Sequence, residues 1–136
     1  MRTIKWVGVA AMLASMVAAQ GCLLFVAGAA AGAGVGTISY VDNELRATQE
    51  VGMDRAWSAA LASMQDLQFR VIQDRTVKDA TGGTVYARDA KGQPIVIQLI
   101  RQSDRVTEIR VRVGTFDTAA NREIAQLIYD KIKGHL

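Results

Sequence analysis

The sequence predicts an α+β domain in which an antiparallel sheet of about five strands carries two helices on one face, preceded by a lipoprotein signal peptide. No charged residue occurs from Trp6 to Val41, whereas charges recur every few positions from Asp42 onward. In the charged part, segments of alternating and of helical periodicity follow one another in the order β-α-β-β-β-β-α. We therefore divide the chain into a signal peptide at residues 1–21, a lipidated cysteine with a Gly/Ala-rich tether at 22–41, and a small domain at 42–136.

The N-terminal segment has the three parts of a secretory signal. Arg2 and Lys5 give it a positively charged start, and an apolar run follows up to Ala19. Small residues then lead to Gly21 and Cys22, and a cysteine directly after the cleavage point is typical of bacterial lipoproteins. Gly21 is therefore the predicted cleavage flank, and Cys22 is the predicted attachment site of the diacylglyceride and palmitate. Because such a run also resembles a membrane span, the alternative is that Cys22 is an apolar residue of a membrane helix.

The Gly/Ala-rich stretch after the cysteine has two interpretations. Gly28 and Gly32 form a Gly-x-x-x-Gly motif, a spacing that lets two helices approach closely in lipid. An uncleaved chain that oligomerises in the membrane through this motif is thus one alternative. We favour a flexible tether, because Gly34 and Gly36 add to a glycine content that lowers the stability of a helix.

The domain is predicted to open with a strand and a helix. From Asn43 to Val51, apolar and polar residues alternate, which indicates a half-buried strand that ends at Gly52. The apolar residues that follow recur at helical spacing, and Asp54 lies in the first turn, where its charge suits the helix dipole. The inward residues are Leu45, Ala47 and Val51 in the strand, and Met53, Ala56, Trp57, Ala60, Leu61, Met64 and Leu67 in the helix.

Four more strands are predicted next. Two run from Phe69 to Val77 and from Thr84 to Arg88, and the other two have apolar residues at every second position. These positions are Ile95, Ile97 and Leu99 in one strand and Ile109, Val111 and Val113 in the other. Pairing Leu99 with Ile109 places both apolar sets on one face and Gln98 beside Arg110 on the other. This register requires a hairpin turn at 103–105.

A final helix is predicted after Gly114. Asp117 or Thr118 can cap its N-terminus, and Lys131 and Lys133 lie near its C-terminal end, where positive charge is favourable. Its apolar stripe consists of Ile124, Leu127, Ile128 and Ile132. Both helical stripes can then be buried against the apolar face of the sheet.

Several segments of the chain are similar to those of one family. They are the Gly/Ala stretch after Cys22, Tyr40-Val41 leading into Glu44-Leu45, Asp54-Arg55-Ala56-Trp57 at a helix start, Val106 to Gly114, and the terminal Ile-x-x-x-Ile helix. With these segments the chain resembles a family of small bacterial lipoproteins catalogued only as a domain of unknown function. The resemblance implies an exported, membrane-anchored α+β domain, and it supplies neither an activity nor a catalytic residue. Gln20 before the cleavage point departs from the pattern.

Residue types that carry enzyme chemistry are scarce and scattered. His135 and Cys22 are the single histidine and the single cysteine of the sequence. Asp79, Asp89 and Asp104 lie in predicted turns, where aspartate commonly hydrogen-bonds the local backbone. After the signal, 14 of the 16 basic residues remain against 13 acidic ones, so a basic stripe for nucleic acid is not expected. We predict a protein that is not an enzyme and needs no cofactor or metal.

The outward side of the last hairpin is the predicted partner surface. Val96 and Ile100 are apolar residues on a face that would otherwise be wet, beside Arg110 and Arg112. Apolar residues in such a place can mark a contact with a partner.

A larger basic patch is conceivable on the same hairpin. Arg101 and Arg105 could join the two outward arginines in a patch suited to phosphate groups of lipid or envelope polymer. Asp104 and Glu108 interrupt it, which favours a salt-bridged, solvated face.

These features predict a lipoprotein on the periplasmic face of a membrane that binds an envelope protein or polymer, or supports envelope structure. Leu23 follows the cysteine instead of the aspartate associated with retention at the inner membrane, which favours the outer membrane in a Gram-negative host. One alternative is the uncleaved oligomer described above. Another is an enzyme acting through Asp and Arg alone, which would need a pocket with converging carboxylates.

Overall fold

In the computed structural model, which describes residues 37–136, the chain forms an open antiparallel sheet of seven strands with two helices. The strands are β1 (Ile38–Val41), β2 (Glu44–Gln49), β3 (Arg70–Val71), β4 (Val77–Lys78), β5 (Gly82–Arg88), β6 (Pro94–Ser103) and β7 (Val106–Val113). The helices are α1 (Met53–Asp66) and α2 (Ala119–Gly134), with a 3-10 turn at Gln73–Arg75. The predicted α+β class with an antiparallel sheet is confirmed. The signal peptide, Gly21, Cys22 and the tether up to residue 36 lie outside the described residues.

The strand order across the sheet is β1-β2-β7-β6-β5-β3, and β4 also pairs with β5. The predicted register of the last hairpin is confirmed, because Leu99 lies opposite Ile109 and Gln98 opposite Arg110. A bulge between Arg101 and Ser103 precedes its turn. Strand β2, and not β1, therefore neighbours the last strand, β7, which lies in the middle of the sheet.

Strand β1 is the first difference from the sequence prediction. Residues 38–41 are assigned to the tether by their lack of charge, but they pair with β2, with Ile38 opposite Ala47. The connection is a two-residue turn in which Asp42 and Asn43 have φ values of 51° and 61°. Aspartate and asparagine adopt this left-handed conformation more readily than other non-glycine residues, and it suits the twist of a hairpin.

The predicted strand from Phe69 to Val77 is the second difference, because the structure divides it into β3, the 3-10 turn and β4. The hydroxyl of Thr76 donates a hydrogen bond of 2.8 Å to the carbonyl of Ile72 and accepts one of 3.2 Å from the backbone N–H of Tyr86. A side chain thus replaces the backbone as the partner of β5 at this point. The alternation of apolar and polar residues does not reveal that a side chain replaces a backbone group in this hydrogen bond.

The hydrophobic core lies between the sheet and both helices. Its sheet side is formed by alternate strand residues that are almost completely buried: Leu45, Ala47, Val85, Ala87, Ile95, Ile97, Leu99, Ile109, Val111 and Val113. Its helix side is formed by Met53, Ala56, Ala59, Ala60 and Met64 of α1 and by Ala125, Ile128, Tyr129 and Ile132 of α2. Both helices therefore cover one face, as predicted. Neither helix within residues 37–136 is long and apolar enough to cross a membrane.

Helix α2 begins as predicted but buries a different stripe. Thr118 is the N-cap, and its hydroxyl accepts a hydrogen bond of 3.1 Å from the backbone N–H of Asn121. Leu127 is 47% exposed, so its predicted place in the core is wrong. The buried stripe is centred on Ile128 and Tyr129. Successive residues of a helix are rotated by about 100°, so the side chain of Leu127 points away from that stripe.

Candidate binding face

The side of the sheet that faces away from the helices is called the open face here. It comprises the strand side chains that alternate with the core residues, together with any side chain that packs directly on them. One row across it runs from Glu44 through Arg112 and Val96 to Tyr86, each residue opposite the next on a neighbouring strand. Since both helices pack on the other side, this face has no second layer within the described part of the chain.

The four residues of the predicted partner surface lie together on the open face. Val96 is opposite Arg112, and Ile100 is opposite Glu108. Arg110 lies between Glu108 and Arg112 on the same side of β7. Arg112 has a side chain that is 48% exposed, while the others are half-buried. The structure therefore brings these residues together as the alternation of β6 and β7 predicts.

The larger patch with Arg101 and Arg105 is wrong. Arg101 lies opposite Thr107, which is completely buried on the core side, and its guanidinium pairs with the carboxylate of Asp104. Arg105 lies in the turn, beside Glu50 and Gly52. Regular alternation along β6 places Arg101 on the side of Leu99, and Arg105 lies outside both strands, so neither arginine shares the face of Arg110.

Two glutamates hold the arginines of the open face in place. Glu44, only 8% exposed in its side chain, accepts hydrogen bonds from Arg46 Nε at 2.9 Å and from Arg112 Nη2 at 3.2 Å. Glu108 accepts a hydrogen bond of 2.7 Å from Arg110 Nε, and this bond raises the pKa of Arg110 above its usual value. The salt-bridged character predicted for the face is confirmed.

Sequence reasoning missed the contributions of β2, β3 and the 3-10 turn to this face. Arg46 lies opposite Arg110, and Arg70 lies opposite Arg88. The guanidinium of Arg75 stacks over the ring of Tyr86 at 4.2 Å from its centroid. The alternation within each strand was the available signal, but it does not tell which strands are neighbours.

The comparisons with known proteins identify a family. The model of the family described as "Protein of unknown function (DUF3568)" matches residues 4–131 of the chain. This chain belongs to the DUF3568 family. No curated protein matches the sequence. The resemblance expected from the sequence is thus confirmed at the level of a family whose description names no activity.

In this DUF3568 chain, a shallow hollow of about 350 Å³ interrupts the open face near the edge of the sheet. Its lining includes Val77, Thr84, Gln98 and Ile100. Gly82 has no side chain to fill the space beside Ile100, and an added Cβ there would collide with the carbonyl of Leu99. The hollow therefore depends on the absence of a side chain at Gly82, and it is lined by both polar and apolar residues.

The carboxylates considered for catalysis have structural partners. Asp79 accepts hydrogen bonds from the backbone N–H groups of Thr81 and Gly82, and Asp89 accepts them from Lys91 and Gln93, so the predicted turn roles of both are confirmed. The hydrogen bonds at Asp79 hold the pKa of its carboxyl below the usual 3.8, with the Thr81 hydroxyl making the largest contribution.

The remaining titratable groups do not converge either. His135 Nε2 lies 2.6 Å from the carboxylate of Asp66, at the ends of the two helices. Within residues 37–136, no group of three or more His, Cys, Asp or Glu side chains could hold a metal ion. The arrangement that the open face offers is thus suited to binding through guanidinium groups and apolar contacts.

Proposed function

We propose that this chain is a lipid-anchored protein of the cell envelope whose domain is a non-enzymatic binding module, with the open face as its binding surface. The observation that carries the proposal is the single-layered face on which arginines alternate with half-buried apolar side chains. Arginine and aromatic residues are enriched at protein interfaces, because a guanidinium combines several donors with a flat, weakly hydrated surface. A purely solvated sheet face does not need Val96 and Ile100.

The anchor in this proposal is Cys22. The charged start, the apolar run and the small residues before the cysteine support lipidation after cleavage at Gly21. Lipidation would hold the domain on the periplasmic side of a membrane, and Leu23 favours the outer one in a Gram-negative host. Two acyl signals on one residue are the kind of modification that gives stable anchoring.

A binding role is favoured over catalysis by how the charged groups are used. A general acid or base must be free to exchange a proton with a substrate. Glu44 and Glu108 are instead engaged by arginines, and Asp79 and Asp89 are engaged by their own turns. These contacts support a rigid surface in which charge serves recognition.

The anchor is tested by intact-mass analysis of membrane-extracted protein, comparing the natural chain with Cys22→Ser. We expect a mass of residues 22–136 plus acyl chains, and its loss in the variant. A full-length, unacylated mass in the natural chain would contradict the anchor. It would favour the alternative function, an uncleaved membrane protein that oligomerises through Gly28 and Gly32.

The binding surface is tested by a photo-crosslinking amino acid placed in the full chain in the membrane. We expect the probe at Ile100, on the open face, to form a specific adduct with an envelope component. Leu127 is the matched control, because it is an exposed apolar residue on α2, on the opposite side of the domain. Equal crosslinking from both positions, or none from Ile100, would show that the open face is not the binding surface.

A further inference from the structure

The charges of the described domain are unevenly distributed between its two sides. The open face carries six arginines, which are Arg46, Arg70, Arg75, Arg88, Arg110 and Arg112. Its strands contribute two acidic residues, Glu44 and Glu108, and one residue of each charge, Asp79 and Arg101, lines the hollow at its edge. The rest of residues 37–136 holds eight basic and eleven acidic residues. A nearly neutral domain therefore has one net positive side and one net negative side.

Two pairs of arginines lie directly opposite each other on neighbouring strands. Arg46 faces Arg110, and Arg70 faces Arg88. Like charges in such cross-strand positions destabilise a sheet. The first pair is offset by the glutamates around it. Arg70 and Arg88 form no ion pair among the described residues, and Arg88 donates a hydrogen bond of 2.8 Å to the carbonyl of Gly92. An anion bound between Arg70 and Arg88 would remove the repulsion between them, which gives this destabilising pair a function.

The hydrogen bonds of these arginines leave donors for an anion. Arg46 and Arg110 use Nε toward the glutamates, and their terminal amino groups have no hydrogen-bond partner within residues 37–136. The basic side chains on this face are all arginines, whose planar donors match the oxygens of a phosphate better than a lysine ammonium does. The chemistry of the face thus favours phosphate groups.

We propose that the open face docks on the anionic phospholipid headgroups of the membrane in which the chain is anchored. The proposal deepens the proposed function and rests on it. A sheet face presents its guanidinium groups over a broad surface, as a bilayer presents its phosphates. The acidic remainder of the domain would then face away from the lipid, so the uneven charge also sets the orientation.

The apolar residues of the face fit the same partner. Val77 and Val41 are 62% and 44% exposed, and Val96 and Ile100 lie between the charged positions. Side chains of this kind can enter the boundary between headgroups and acyl chains while the arginines remain at phosphate level. Fifteen residues separate Cys22 from Ile38, which limits the distance between the lipid and the sheet to about 55 Å.

The test uses the lipidated chain, residues 22–136, in vesicles of phosphatidylcholine, with or without phosphatidylglycerol, that contain a lipid with a quencher on its headgroup. The lipid on Cys22 leaves the introduced cysteine as the free thiol for labelling. A fluorophore is attached at Thr84→Cys on the open face, or at Ser58→Cys on the exposed side of α1 as the control. We expect quenching at position 84 only in the anionic vesicles, and its loss at high salt, because salt screens exposed charges. Quenching at position 84 that is equal in both vesicles would overturn the proposal.

The deciding variant is the double substitution Arg70→Gln and Arg88→Gln. We expect the ratio of docked to undocked protein to fall about 20- to 30-fold, since each arginine near an anionic surface contributes about fivefold. The substitution removes a like-charge pair and also the hydrogen bond from Arg88 to the carbonyl of Gly92, two opposing effects, so the thermal unfolding midpoint should change little. Measuring it separates lost docking from lost folding. The matched control is Arg55→Gln with Lys131→Gln, which removes two exposed charges from the helix side. An equal fall in the control would show that total charge, and not the open face, drives the association.

A third variant should act in the opposite direction. Glu108→Gln removes a negative charge from the face and releases Arg110, so docking should strengthen about fivefold. Failure of the proposed function gives a different result from failure of this inference. Retention in the vesicles without quenching at position 84 would leave the anchor intact and refute lipid docking. An acidic protein captured from Ile100, again without quenching, would assign the arginines to a protein partner instead.

Discussion

The two faces of the same sheet differ in what determines their side chains. Along β6, Ile95, Ile97 and Leu99 are at most 1% exposed against the helices, while Val96, Gln98 and Ile100 alternate with them on the open face and remain half-buried. The inner side must match the volume and polarity of two helices, because a core is close-packed. No helix within residues 37–136 packs on the open side, so packing constrains its side chains less. Alternate positions of one strand therefore contribute to the core and to the proposed binding surface.

The largest change in stability is expected when two isoleucines of β6, one on each face, are replaced by alanine. Ile97→Ala should lower the free energy of unfolding by about 2–5 kcal/mol, because it leaves a cavity in a completely buried site. Ile100→Ala, three residues along β6, should cost about 1 kcal/mol or less, because water can reach the position. Urea unfolding of both variants measures the difference, and equal losses would mean that the open face is covered in the free domain.

A second test asks whether the charges on the open face also stabilise the fold. Glu44→Gln should lower the free energy of unfolding by about 1–2 kcal/mol, since it weakens two charge-assisted hydrogen bonds to partly exposed arginines. Glu123→Gln, at an exposed position of α2, is the matched control and should change little. If the two variants were equally stable in urea, Glu44 would serve only to set the charge of the face.

The sequence was sufficient to place the residues of the β6–β7 hairpin on both faces, but not to identify the other strands that complete the open face. Regular alternation in β6 and β7 predicts both the register of the hairpin and the outward position of Val96 and Ile100, because a shift by one residue would expose the whole apolar set. Arg46 and Arg70 could not be assigned to the same surface in this way. Their proximity to Arg110 and Arg88 depends on strand order, which joins residues far apart in the sequence and leaves no local pattern.

The same reasoning explains the two errors in the strands. Ile38 to Val41 lies at the end of an uncharged Gly/Ala-rich stretch, so the alternation that identifies β2 has no contrast there. The decisive local signal was the Asp-Asn pair at 42–43, which tolerates the positive φ of a tight turn. In the segment around Thr76, the threonine hydroxyl takes the place of a backbone carbonyl as the hydrogen-bond acceptor for β5. The periodicity of apolar residues does not reveal such a replacement.

A third prediction concerns the turn at Asp42 and Asn43, which connects β1 to β2. Asn43→Ala should cost about 1 kcal/mol, because alanine is disfavoured at a φ of 61°. Asn43→Gly should cost less than the alanine variant, because glycine adopts this conformation without strain, and both variants lose the 3.4 Å hydrogen bond from Asn43 Nδ2 to the carbonyl of Val113. Thermal or urea unfolding distinguishes the two. An alanine variant as stable as the glycine variant would indicate that β1 contributes little to the sheet.

The smallest effect is expected on the helix side, at an exposed ion pair. Arg122 donates two hydrogen bonds to Asp117, at 2.7 and 2.6 Å, and these hold the pKa of the carboxyl below the usual 3.8. A lowered folded-state pKa stabilises the domain above 3.8 and loses this contribution as the pH falls through the folded value. Asp117→Asn should therefore be slightly less stable than the natural chain at about pH 7, and the difference should shrink as the pH falls below 3.8. A difference that persists in acid would point to a cause other than charge.

The short border strands of the sheet affect how strongly copies of the domain associate at high local concentration. A long, straight border strand is a template on which another chain can add its own strand, and this is a common start of aggregation. Here one border is broken into two strands of two residues by the 3-10 turn, and the other is four residues long. Neither offers a continuous run of backbone donors and acceptors for an incoming chain. Crowded copies of the domain should thus remain separate even where their local concentration is high.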